Sequence, residues 1–328
     1  SRCRRSRLSK RRVIIVGHQG QDGRLLSQRL RQRGDLILGI GKRSIDVDAG
    51  MTTIDECRVD QPETVHHTIR AVQPDEVYYL AAYHASSQGA SGLDLHDDYL
   101  ASITVNFLGL LHFLEAIRLQ HPATRLFFAS SSLIFGNSPI ETPQCETTPA
   151  MPEEPYGLCK KLAGEVCRDY RERHGIFASV GILFNHESVY RPPTFLSMRI
   201  IRGAIAALRG SEEKLVVGNL DATVDWGYAP DFVDAFPQIL GLNQPDDFVI
   251  ATGVSHTVRD FLAAAFGHVG LDWNDHVVQQ PSVLVRHRTG RVGNSAKLQR
   301  LTGWRPTLTF KKMVAMLVDQ VTLETGRE

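Results

Sequence analysis

Short apolar runs alternate with longer amphipathic stretches from Arg12 onward. RVIIVG precedes LLSQRLRQRG, DLILGI precedes the segment around ETVHHTIRAV, and EVYYLAA precedes DDYLASITVNFLGLLHFLEAIRLQ, after which comes RLFFASS. The short runs are rich in Val, Ile, Leu and Phe, which suits strands covered on both faces. The longer segments place their apolar residues at helical spacing. The succession predicts an α/β fold, a doubly wound parallel sheet with helices on either side.

The rhythm loosens after FASVGILFNH, at Phe177 to His186. SVYRPPTF holds consecutive prolines, which cannot continue a strand ladder, and SMRIIRGAIAALRG then reads as a helix. DFVIATG, at Asp247 to Gly253, has the composition of a strand returning to the main sheet. The expected organisation is a basic arm over 1–11, a larger domain over 12–186 with a return segment over 225–253, and a mainly separate smaller domain over 187–328.

Composition narrows the class. The 328 residues suffice for one large or two modest cores, and the formal net charge of +1 gives no reason to expect nucleic acid as a partner. No apolar run is read as a membrane span, so no membrane partner is expected. The five cysteines form no CxxC pair and are odd in number, which argues against a disulfide framework and a zinc site and fits a reducing cytoplasm. The exception is SRCRRSRLSKRR, where seven of twelve residues are Lys or Arg. No apolar core follows, so it reads as a solvated arm, with a polyanion-binding tail or transit peptide as alternatives.

Two constellations carry chemistry. In GHQGQDG, Gly17, Gly20 and Gly23 fall between the first strand and the first helix. Glycines there allow a tight turn and let main-chain N–H groups approach a pyrophosphate at the positive helix end. The second strand, DLILGIGKRS, ends without the carboxylate that a ribose 2′-hydroxyl prefers and offers Lys42, Arg43 and Ser44 instead. A 2′-phosphate suits those donors, so NADP(H) is the expected cofactor.

The second constellation is FFASSSLIFGNS followed by YGLCK. Tyr156 and Lys160, four apart, share one helix face. A nearby ammonium favours phenolate, which readies the tyrosine to exchange a proton with an alcohol during hydride transfer. Ser131 is the expected hydroxyl partner. On an extended strand end it shares its side with Leu133, leaving Ser130 and Ser132 to face elsewhere.

These residues, with QPDEVYYLAA, LEAIR, GILFNHES, GNLDATVDWGYAPDFVDAF and PDDFVIATG, resemble the extended short-chain dehydrogenase/reductases, and within them the GDP-mannose 4,6-dehydratases. The resemblance covers nearly all of the chain from Arg12 to about Val318. It implies a Rossmann-type NADP(H) domain, a smaller C-terminal substrate domain, a nucleotide-sugar substrate with a GDP-sugar foremost, and a homodimer or homotetramer. By position it assigns Gly17, Gly20, Gln21, Asp22 and Gly23 to the cofactor phosphates and Arg43 to the 2′-phosphate side. Leu80 and Ala81 fall to the cofactor wall, and Tyr156, Lys160, Leu183 and His186 to the nicotinamide half. Ser131 matches the catalytic threonine, and Asn185 and Arg199 match positions that grip the nucleotide sugar.

Three departures qualify that picture. The family motif STSELYG places on Leu133 a glutamate that removes the C5 proton and helps expel the C6 hydroxyl. Leucine has no ionisable or hydrogen-bonding group. The KRDWG arginine expected on the diphosphate falls on Val224, and an acid expected near the adenine falls on Cys57. Oxidation or reduction at C4 by a reductase, dehydrogenase or epimerase is therefore favoured. A 4,6-dehydratase with a base relocated to Glu153 or Glu154, and a cofactor-binding sensor without chemistry, are the alternatives. Arg286, Arg288 and Arg291 stand either as replacements for the diphosphate arginine or as a solvated face.

Overall fold

A computed structural model describes residues 10–42, 44–84, 95–136, 142–281 and 290–325. Arg43, Arg286, Arg288 and most of the basic arm lie outside the described residues.

The strands are β1 (Arg12–Val16), β2 (Leu36–Ile40), β3 (Ile45–Val47), β4 (Glu76–Tyr79), β5 (Arg125–Ser131), β6 (Ala178–Leu183), β7 (Asn185–Glu187), β8 (Leu215–Val217), β9 (Thr223–Tyr228), β10 (Asp247–Ile250), β11 (Ser255–Thr257) and β12 (Val277–Gln279). Seven form one sheet in the order β10-β6-β5-β4-β1-β2-β3, parallel throughout except for the antiparallel edge strand β3. This is the Rossmann-type sheet, and its apolar strands are buried because helices cover both faces. Helices Gln21–Arg33 and Ala229–Leu240 pack together on one side. Pro62–Val72, Gly109–Gln120 and Pro155–His174 pack on the other. The order of connection reverses at β1, between β2 and β4, which opens a crevice at the carboxyl ends of the strands.

Buried side chains form two clusters. The larger lies within and around the seven-stranded sheet, and includes Leu298 and Trp304 from late in the chain. The smaller joins Met198, Ile201, Trp226, Phe261, Phe266, Val314 and Leu317 beneath the three-stranded sheet β11-β9-β7. Of residues 225–253, helix Ala229–Leu240 and β10 pack with the larger cluster. Residues 225–228 belong to β9 in the small sheet.

The long apolar stretch before β5 is not one regular helix. Leu95–Ile103 and Gly109–Gln120 are α-helical, and Thr104–Leu108 between them is a π-helical turn. The wider turn lets the Val105 carbonyl accept from the Tyr79 hydroxyl at 2.7 Å. Gly109 makes room: a Cβ there would stand 2.1 Å from that hydroxyl oxygen. His96–Gln120 is also long and apolar enough, by length and composition, to cross a membrane, contrary to the reading that no run reaches that length. Its apolar content has a place in the fold, because Leu110, Phe113, Leu114 and Ile117 are fully buried in the larger core.

Candidate active site

The crevice is a cleft of about 570 Å³ between the two clusters. At its cofactor end, β1 turns into helix Gln21–Arg33 through Gly17, whose φ of 89° favours glycine. A Cβ on Gly17 would lie 2.7 Å from the Ala81 nitrogen, and one on Gly23 would lie 2.3 Å from the Gly17 oxygen. The turn is therefore drawn against the end of β4. Gly20 caps the helix without a side-chain bond, so the first-turn N–H groups of Gln21, Asp22 and Gly23 open on the cleft. That arrangement fits a dinucleotide pyrophosphate. Leu80 and Ala82 line the wall, with Ala81 behind Gly17.

His186 closes this end. Its Nε2 lies 3.0 Å from Asp22 Oδ1, and its Nδ1 is 2.7 Å from the Phe184 oxygen. Burial opposes charge on both groups, but their mutual attraction and hydrogen bond outweigh it. The histidine pKa is raised and the aspartate pKa lowered. Gln21 completes the tie, donating to the His186 oxygen and accepting from the Ser188 hydroxyl. Beside them Arg191 faces the cleft, with Nε 3.4 Å from Glu187 Oε2 and the guanidinium 3.9 Å from the Phe195 ring centre. That buried Nε has no hydrogen-bond partner among the described residues, which suits an anionic ligand.

At the end of β2, Gln19 Nε2 donates to Ser44 Oγ at 2.9 Å. The nearest following carboxylate, Asp46, is turned to Arg31.

At the reacting end, Lys160 is 1% exposed and donates to the Ala129 oxygen at 2.8 Å. Its Nζ lies 4.8 Å from the Phe128 ring centre and 5.6 Å from that of Tyr156. Burial lowers its pKa to about 7 against the smaller opposing pull of Cys159 and Asp22. The lysine beside Tyr156 thus holds its proton less firmly than a free one. β5 stops at Ser131, whose Oγ accepts from the Leu133 N–H at 3.2 Å and caps the short 3₁₀ helix Ser132–Phe135. Strand alternation ends there, so Ser130 and Ser132 line the cleft together with Ser131 and Leu133. Close packing fixes Leu133: a Cβ on Gly157 would come within 2.7 Å of its carbonyl.

Leu183 and Asn185 also line the cleft, as does Val224. Arg199 does not; burial lowers its pKa, and its guanidinium donates to the Val216 oxygen at 2.7 Å. Cys57 sits in the larger core, its thiol pushed up to about 11 by burial. Glu153 and Glu154 are not among the cleft-lining residues. Arg291 is, and it donates to the Gly136 oxygen at 2.7 Å.

Sequence reasoning missed Arg191 and His84. The first had a signal, an arginine directly before the double proline that leaves the site. His84 had none in its spacing. Its ring lies 4.4 Å from that of Tyr156, centre to centre, at 45°.

A family model described as GDP-mannose 4,6 dehydratase matches residues 14–317. GDP-mannose 4,6 dehydratase 1 of Arabidopsis thaliana is 34% identical over 94% of this chain and 89% of its own length. A GDP-mannose 4,6-dehydratase of Vibrio cholerae is 33% identical over 94% and 93%. Among solved structures, RMD from Pseudomonas aeruginosa complexed with NADPH superposes with a TM-score of 0.79 at 19% identity, covering 96% of this chain and 100% of that one. The UDP-glucose 4-epimerase of Thermus thermophilus in complex with NAD gives 0.76 at 24%, covering 94% and 98%. The structures match the fold; the family model and sequence relatives settle membership, and the chain belongs to the GDP-mannose 4,6 dehydratase family of extended short-chain dehydrogenase/reductases.

Proposed function

We propose that the chain is an NADP(H)-dependent oxidoreductase that makes or consumes a ketone at C4 of a nucleotide sugar, with a GDP-linked hexose as substrate. The relatives' names support the nucleotide and sugar class. The absence of a carboxylate between Gly39 and Ser44, beside Gln19 and Ser44 themselves, supports NADP over NAD.

When bound, the nicotinamide supplies or accepts the hydride. The protein's part is to move one proton and hold the sugar. Tyr156 takes the proton of the C4 hydroxyl during oxidation and returns it during reduction, while Ser131 holds the C4 oxygen. Lys160, fixed on Ala129, supplies positive charge beside Tyr156 when protonated. The first helical turn, Gln21 and Arg191 are the groups available to the cofactor's phosphates and its flanking ribose.

The observation that carries this reading is Leu133. Three carboxylates line the cleft among the described residues, and each is engaged. Asp22 pairs with His186, Glu187 accepts from Ser197 at 2.6 Å, and Asp225 accepts from Thr252, Gly253 and Gly293. A carboxylate base for removing the C5 proton is thus missing from the expected place, which supports C4 redox without loss of water.

The relatives' names favour a second reading, 4,6-dehydration with the base supplied from another position. Mass spectrometry after incubation with GDP-mannose and NADP decides between them. A product lighter by one water establishes dehydration. A 4-keto product lighter by two hydrogens that keeps its C6 hydroxyl, or NADPH consumption with a GDP-linked 4-ketosugar, establishes C4 redox.

A further inference from the structure

Strand β4 ends at Tyr79, the parallel partner of Phe128 on β5, and His84 and Leu133 each follow five residues after their member of that pair. Both line the cleft.

The approach to His84 is held unusually firmly. Asn106, fully buried in the π-helical turn, accepts from the Tyr83 N–H at 3.0 Å and donates to the Tyr83 oxygen at 2.9 Å. Ser102 receives the second proton of the Asn106 amide at 3.0 Å. The irregular turn therefore clamps the main chain one residue before the histidine, and such turns often mark sites of function. The His84 ring then lies against Tyr156 at 4.4 Å and 6.2 Å from the Phe195 ring, centre to centre. An imidazole is thus placed beside the proposed proton-transfer tyrosine, in a site whose sequence lacks the expected carboxylate.

We propose that His84 is an acid–base residue that exchanges the proton on a ring carbon adjacent to the C4 ketone. The inference rests on the reading of the cleft as a ketosugar site and adds an activity to it. The C–H bond breaks, its proton passes to an imidazole nitrogen, and its electron pair enters an enolate whose negative oxygen lies with Ser131 and Tyr156. Return of a proton from the imidazolium restores the ketone, so no electrons are gained or lost overall. This half-step is shared by elimination of the C6 hydroxyl and by inversion at the exchanged carbon.

The test is solvent deuterium uptake into a GDP-linked 4-keto-6-deoxyhexose, followed by mass spectrometry. The wild-type chain takes up deuterium next to the ketone. His84→Gln slows uptake at least a hundredfold at unchanged melting temperature, and added imidazole partly restores it in His84→Ala. No uptake by the wild type, or uptake in His84→Gln within threefold of wild type, overturns the proposal. So does a loss matched by an equal loss of GDP-sugar binding, because it marks the ring as a structural support for Tyr156. Uptake without any NADPH consumption on the same ketosugar sinks the C4 redox reading and leaves this proposal standing.

Discussion

Lys160 donates to the main-chain oxygen of Ala129 at 2.8 Å, pinning helix Pro155–His174 to the end of the strand that carries Ser131. The bond satisfies one ammonium proton in an apolar setting and leaves the charge poorly solvated. Burial therefore holds the pKa at about 7, far below the 10.5 of a free lysine. Between those values the unfolded chain binds more protons than the folded one, so the ligand-free protein gains stability as pH rises from 7 toward 10.5. Urea denaturation at pH 7 and pH 9 measures the gain. In Lys160→Met it is markedly smaller.

Tyr156→Phe removes the transferable proton and keeps the ring against His84. The expected loss in kcat/KM is about 100- to 10,000-fold, the range for one acid–base group. Cofactor affinity, read by fluorescence titration, stays within a few-fold. Full activity in this variant would remove Tyr156 from the chemistry.

Leu133→Glu introduces the carboxylate that the family resemblance leads one to expect at this position. Position 133 is only half-buried and faces the cleft, so a carboxylate there keeps access to water. With GDP-mannose and NADP, the variant should release more water-loss product than the wild type, by at least tenfold. Mass spectrometry of paired reactions reads the difference, and equal yields would show that position 133 does not select the product.

Asp22→Ala strips His186 of its partner while burial remains. The histidine pKa should then fall below its ordinary value of 6.5, which an NMR titration reads directly. Removing one member of a buried pair costs about 3 kcal/mol, the low end of the range because Asp22 keeps 18% of its side-chain exposure. Since the wild-type histidine pKa is raised, its stabilising contribution is complete below 6.5. It fades as pH rises through the folded value.

The large sheet was legible because its strands are mostly apolar on both faces and its helices keep a regular period. The same regularity hid the π-helical turn at Thr104–Leu108: nothing in VNFLG announces that Asn106 will bond Tyr83 or that Tyr79 will take the Val105 carbonyl. Gly17, Gly20 and Gly23 were readable because a turn this tight excludes a Cβ at two of them. His84 was not, because its place against Tyr156 follows from how the chain folds after β4, whereas Arg191 was marked only by the double proline that follows it. Arg199 shows the converse. The family resemblance assigns it to the nucleotide sugar, and in the ligand-free fold its guanidinium donates to the Val216 carbonyl outside the cleft lining.

Asp225 sits in the small sheet but accepts from Thr252 and Gly253, just beyond β10, and from Gly293. The polypeptide threads back and forth between the two cores, and this carboxylate is one of the knots. Neither half is a cassette that could be exchanged with a homologue's by a single crossover. New specificity in such a scaffold has to arise residue by residue within the seam, which is where Leu133 and His84 stand.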